Sequence, residues 1–206
     1  MPEKAINETL KRVTHATISV TENDKKGHGQ SNREFIERLS ELSSADLAAL
    51  RRCNRNPLTD ERLFSVLGRL GVLGSYNHSL IACLYAAYHR AGDTPRFIEW
   101  FTFGRAFRNA YDPDDQKKDT RFKAILTADK GDALAFRLRQ AVHLLKSRDE
   151  PVDFSALLAD LYNWENRDRR VQRKWAEGYY RGYYEMPDDA PVQPEETSDD
   201  DFDDLD

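Results

Sequence analysis

NHSLIACLYAAYHR, residues 77–90, places apolar or small side chains on nearly every side of a helical wheel. Such a helix has little face to offer water, so it belongs at the centre of a fold with other helices around it. Ala91-Gly92 closes it, and Thr94-Pro95 opens the next segment.

Reading towards the N-terminus, Gly71 and Gly74 end a preceding helix for which Thr59 is the expected cap. Asp60 and Glu61 suit the positive end of its dipole. Ser44 is the expected cap of a short helix over Ala45–Arg52. Ser31, followed three residues later by Glu34, forms a capping-box signature, and Phe35, Ile36, Leu39 and Leu42 recur at helical spacing behind it. Residues 1–30 are polar, and TENDKKGHGQ (21–30) reads as loop or disorder.

Reading towards the C-terminus, FIEWFTFGRAFRNAY (97–111) is rich in aromatic residues and leads into the charged loop DPDDQKKD (112–119). Helices are expected over 119–128, 131–147, 153–164 (capped by Asp153 after Pro151) and 167–184. Period-two alternation with β-branched residues is missing, so the fold class is all-α, a compact bundle or bundles of about eight helices with disordered polar ends. The expected organisation is a polar extension (1–30), an N-terminal helical part (31–93), a C-terminal helical part with a basic face (94–186) and an acidic tail (187–206).

The 206 residues carry a formal charge of −5, which on its face points away from nucleic acid. Yet residues 187–206 hold ten acids and no base, leaving 31 bases against 26 acids, a net of +5, in the rest. The tail has two readings: a solubilising disordered end, or a phosphate mimic that covers the basic body until nucleic acid displaces it. No stretch is apolar enough for a membrane-spanning helix, and the N-terminus lacks the apolar core of a signal peptide. Cys53 and Cys83 lie 30 residues apart with no CxxC, so neither a disulfide framework nor a zinc cluster is encoded. A cytoplasmic protein is expected.

The last helix concentrates the positive charge. At about 100° per residue, Val171, Trp175, Tyr179 and Tyr183 share one arc. Arg167, Arg169, Arg170, Arg173, Lys174 and Arg181 share the opposite side, interrupted by Glu177 alone. A solvated face normally mixes signs to gain i,i+4 pairs. Six like charges favour an external anion, and Tyr180 and Tyr184 among them offer stacking surfaces. The helix over 131–147 repeats the pattern weakly, with Arg139, His143 and Lys146 on one flank and Arg137 elsewhere. Arg51, Arg52, Arg55, Arg105, Arg108, Arg121 and Lys123 complete the cationic candidates, each of which taken singly is an ordinary surface charge.

Catalytic patterns are absent. His15, His28, His78, His89 and His143 show no HxxxH or HExxH spacing. Cys83 reads as a small hydrophobe of the buried helix, and Cys53, among arginines but with no general base, as inert. GRLGVLG (68–74) lacks the Lys-Ser/Thr of a P-loop, and Asp112, Asp114 and Asp115 sit in a loop with nothing to pair them to a site. No catalytic group, cofactor or metal is expected.

FGRAF (103–107), RFKAILTAD (121–129) and LRQAVHLLKSRDEPVDFSALLADLYNWENRDRRVQRKWAEGYYR (138–181) together resemble the CasB family, the small subunit of the type I-E CRISPR surveillance complex Cascade. FIERLSELSSADLAALRR (35–52) suits the family's N-terminal part. The resemblance implies a non-catalytic helical protein of antiviral defence, present as two copies and packed against the backbone subunits and the large subunit. It implies a basic surface that positions the guide RNA–target DNA hybrid and retains the displaced single strand. Family-like basic positions here are Arg52, Arg105, Arg121, Arg139, Arg169 and Arg170; helix geometry adds Arg173 and Lys174. The extension, the tail and the aromatic FTFGRAF depart from the pattern; the last marks either a different partner surface around Phe101, Phe103 and Phe107 or buried core. The rival reading is a helical adaptor whose basic face meets an acidic protein.

Overall fold

Side-chain oxygens start the helices. Ser43, Asn56, Asp60, Ser75, Thr102 and Asp153 each accept a hydrogen bond from a backbone N–H two or three residues on, satisfying a donor the first turn leaves orphaned. The computed structural model describes residues 31–53, 56–111 and 118–181. The polar extension, the tail with its two readings, Arg55 and Tyr183–Tyr184 lie outside them, as does most of the charged loop.

Among the described residues every regular element is helical: α1 (31–40), α2 (Ser44–Arg51), α3 (Phe64–Arg69), α4 (Tyr76–Tyr88), α5 (Phe103–Asn109), α6 (Lys118–Leu126), α7 (Asp132–Ser147), α8 (Phe154–Tyr162) and α9 (Arg170–Arg181), with short 3₁₀ turns at Pro57–Thr59 and Glu61–Leu63. The all-α expectation holds. Several boundaries differ from those expected, each for a local reason. Ser43, not Ser44, caps α2, because its Oγ accepts from Asp46 N at 3.1 Å. Residue 31 is already helical, so Ser31 is not the cap of α1. Thr59 caps nothing; Asn56 and Asp60 instead start the two 3₁₀ turns that precede α3. The last helix begins at Arg170 rather than 167, because Arg169 adopts a positive φ of 50° that no α-helix accommodates.

α4 is the centre of the fold. Asn77 and every residue from Ser79 to Ala87 are buried, with α2, α7 and α8 packed around the helix. Removing that apolar surface from water contributes at about 25 cal/mol per Å². The cations of neighbouring helices close its C-terminal end. Arg51 donates to Ala86 O (2.8 Å) and His89 O (3.1 Å), and Lys146 Nζ to Ala87 O (2.9 Å), complementing the negative pole of the helix.

A second contact, between α5 and α9, is made by backbone approach. A Cβ on Gly104 of α5 would lie 1.8 Å from Trp175 O, and one on Gly178 of α9 would lie 2.1 Å from Thr102 Oγ1. Each helix meets its neighbour at a residue without a side chain, which is the physical content of the glycine in FGRAF. Aromatic rings fill the space beside the crossing. Phe103 stacks on Trp175 (centroids 4.7 Å apart), and Phe122 on Tyr179 (3.9 Å). Phe101, Phe103 and Phe107 are therefore core, which decides between the two readings of this segment.

Candidate nucleic-acid interface

α9 divides along its length as its sequence pattern requires. Val171, Trp175 and Tyr179 face inward, and Arg170, Arg173, Lys174, Tyr180 and Arg181 face water. The buried half fixes the helix firmly. Trp175 Nε1 donates to Asp160 Oδ2 (2.7 Å), Tyr179 Oη to Asp119 Oδ1 (2.7 Å), and Arg108 Nη1 to Tyr179 O (2.8 Å). Burial and the bond to Asp119 push the Tyr179 hydroxyl well above its ordinary pKa, so it stays a donor at any physiological pH.

The cations of this face are not equivalent. Lys174 Nζ lies 3.0 and 3.2 Å from the two oxygens of Asp160, whose side chain is only 9% exposed. It neutralises a buried carboxylate, and removing it would leave that charge without its ammonium. Arg169 Nη2 donates to Leu126 O at 2.6 Å, closing the end of α6. Arg170 pairs with Asp168 (3.2 Å) and Arg181 with Glu177 (2.7 Å), both in open solvent where such pairs are worth about 0–1 kcal/mol. Those two arginines exchange partners cheaply. Arg167, in the turn before α9, and Arg173 are exposed and have no side-chain partner among the described residues. Among the described residues, fewer charges than the pattern indicated are therefore left for an outside anion: Arg167 and Arg173 without a partner, Arg170 and Arg181 at small cost.

The remaining expected residues fall into three places. Arg105 is exposed on α5 and lines a groove of about 210 Å³ with Lys174, Arg181 and Trp100. Arg121 on α6 bonds Tyr111 Oη (3.3 Å), lies over that ring, and lines a cavity of about 570 Å³ with Arg137 and His143. Arg139 turns inward, half-buried, with Nη2 3.9 Å from Cys53 Sγ; Arg52 is exposed at the end of α2. Of the flank formed by Arg139, His143 and Lys146, Lys146 is bound to the end of α4 and Arg139 is half-buried beside Cys53, while His143 is exposed. Cys53 and Cys83 are buried thiols outside any disulfide, and contact with Cys53 together with burial pushes the Cys83 thiol up, away from reactivity.

Trp100 was not a candidate from sequence. It is 89% exposed, beside the groove that Arg105 lines. Only its place in an aromatic run marked it, and its neighbours Phe101, Phe103 and Phe107 are core. Among the described residues no group of three His, Cys, Asp or Glu side chains is placed to hold a metal ion, and no helix is long and apolar enough to cross a membrane.

Fold and surface thus define an α-helical protein with a cationic face carried on its last described helix. The family described as CRISPR-associated protein Cse2 (CRISPR_cse2) matches residues 46–180, and the chain belongs to it. A curated Cse2 protein of Thermus thermophilus is 40% identical over 106 residues, 50% of this chain; the match spans 55% of that protein's length, about half of it. The crystal structure of a Cse2-family protein from the same organism superposes with a TM-score of 0.61 at 32% identity, covering 74% of this chain and 97% of that one. CasB of M. ruber superposes with a TM-score of 0.60 at 28% identity, covering 76% and 94%.

Proposed function

We propose that the chain is a non-catalytic small subunit of a type I-E CRISPR ribonucleoprotein, Cascade, that holds nucleic-acid backbone and so stabilises the guide RNA–target DNA hybrid and the displaced strand in antiviral defence. The observation that carries this reading is the cationic surface of α9 and the turn before it: among the described residues, Arg167 in the turn and Arg173 on the helix have no side-chain partner, and Arg170 is held by a solvent-exposed pair. Family membership supplies the setting. Its partners would be the backbone and large subunits, a second copy of the chain, the guide RNA and the target DNA.

The physics suits a sequence-neutral role. Exchange of a DNA duplex for an RNA–DNA hybrid is close to energetic balance, so a few backbone contacts to the displaced strand tip it. Arginines supply such contacts through counterion release without reading bases. Nothing in the groove demands base-edge chemistry.

The test is the salt dependence of binding to single-stranded and duplex DNA, from about 50 to about 200 mM. A steep fall in affinity is expected, made shallower and weaker by the triple substitution R167E/R170E/R173E, which spares the structural Arg169. A flat slope combined with co-purification with a guide-RNA complex would favour the adaptor reading instead.

A further inference from the structure

The 97–111 segment holds a residue that the fold does not use. Phe101 N bonds Ile98 O at 3.3 Å, closing a turn in which Trp100 occupies the third position with φ +57°. Glycine or asparagine belongs at such a position, and a bulky side chain there is strained. The turn is nonetheless held rigidly on both sides. Ile98 N donates to Oδ2 of the buried Asp153 (2.8 Å), whose Oδ1 caps α8, while Phe101 is buried and Thr102 caps α5. A strained backbone on an anchored turn therefore holds a tryptophan out in water.

The indole borders a cationic groove. Trp100 shares it with Arg105, Lys174 and Arg181, and its one acid, Glu177, already faces Arg181; Glu99 and Glu150 line a second pocket that Trp100 and Arg105 also border. Arg105 has no side-chain partner among the described residues. At about 210 Å³ the groove is smaller than the ~300–1,000 Å³ of small-molecule sites, so an enclosed cofactor does not fit the description. An exposed aromatic ring beside a basic groove is the combination with which proteins hold single strands, the bases stacking while the phosphates meet the cations.

We propose that Trp100 is a stacking platform for one unpaired base of a single-stranded nucleic acid, whose adjoining phosphates lie against Arg105 and Arg181. This inference rests on the nucleic-acid reading above and narrows it to a site across the α5–α9 groove.

Trp164 and Trp175 are 3% and 0% exposed and shielded from contact with a base, so quenching of tryptophan fluorescence by a stacked base reports on Trp100. Titration with oligothymidylate at about 50 mM salt, where backbone binding is strong, is expected to quench it saturably. The midpoint should match that from anisotropy of a labelled oligonucleotide. Trp100→Gly, which relieves the turn and should melt no lower than wild type, loses about tenfold in affinity, and Trp100→Phe retains most of it. Salt-sensitive binding without quenching, and unchanged by Trp100→Gly, would overturn the platform while leaving the backbone-holding role intact. If Trp100→Gly binds the oligonucleotide normally but no longer co-purifies with the guide-RNA complex, Trp100 is a protein contact and the proposal fails. Absence of binding by either measure removes both readings.

Discussion

α4 and α9 are built by opposite means. α4 spends almost every side chain on the core, and its partners meet it through interdigitated apolar groups. α9 spends half, and is seated by backbone approach at Gly104 and Gly178 and by polar bonds from Trp175, Tyr179 and Arg108. The difference shows how a helix presents charge without being loosened by it. Its inner half is fixed by contacts that do not depend on the outer half, so the outward cations are left to respond to an external anion. Lys174 is the exception, because it reaches round to a buried carboxylate.

The sharpest challenge to this contrast is Gly104→Ala. The added methyl would strike the Trp175 carbonyl, a backbone atom that moves only if α9 moves, so a loss of about 3 kcal/mol is expected, at the upper end for overpacking. Chemical denaturation measures it; a change below about 1 kcal/mol would show that α9 is not seated by this approach.

A smaller effect separates two adjacent cations. Lys174→Ala strands the Asp160 carboxylate and should cost about 1–2 kcal/mol, less than for a fully buried pair because the ammonium is partly exposed. Arg173→Ala should change stability by no more than about 0.5 kcal/mol while weakening DNA binding and flattening its salt slope. Equal stability effects at the two positions would erase the distinction between structural and available charge.

The smallest effect tests the buried side. His89 sits against Tyr85, Tyr88 and Phe154, with Nε2 buried and without a hydrogen-bond partner among the described residues, and burial holds its pKa below 6.5 despite Asp93 nearby. Arg96 and Lys146 near the ring act in the same direction as burial. The unfolded chain therefore takes up the proton first. Stability is fully present above pH 6.5 and declines as pH falls below it, and His89→Gln should flatten that part of the melting-temperature profile. His78, also held low by burial and by Arg38, leaves a residual slope. A profile identical in wild type and variant would show that His89 is not buried neutral.

Much of this was legible in the residues. The nearly all-round apolar character of 77–90 placed α4 at the centre, Asp153 announced the start of α8, and the sign separation on α9 matched what faces water. Other features were not legible. Arg139 and Lys174 carry the same charge as their exposed neighbours, and only the neighbouring helices turn one inward and bind the other to Asp160. Trp100 and Phe101 are adjacent aromatics in one run, yet one is exposed and the other core, because a turn of positive φ separates them.

The sequence by itself determined the helical class, the buried helix and the side of α9 on which positive charge gathers. Those are properties of local periodicity, which each segment carries within itself. Only the tertiary structure decided which cations remain available and which aromatic stands in water. An ion pair or a groove needs two segments to meet, as Lys174 meets Asp160 and Trp100 meets the α5–α9 groove, and no single stretch of chain encodes that meeting.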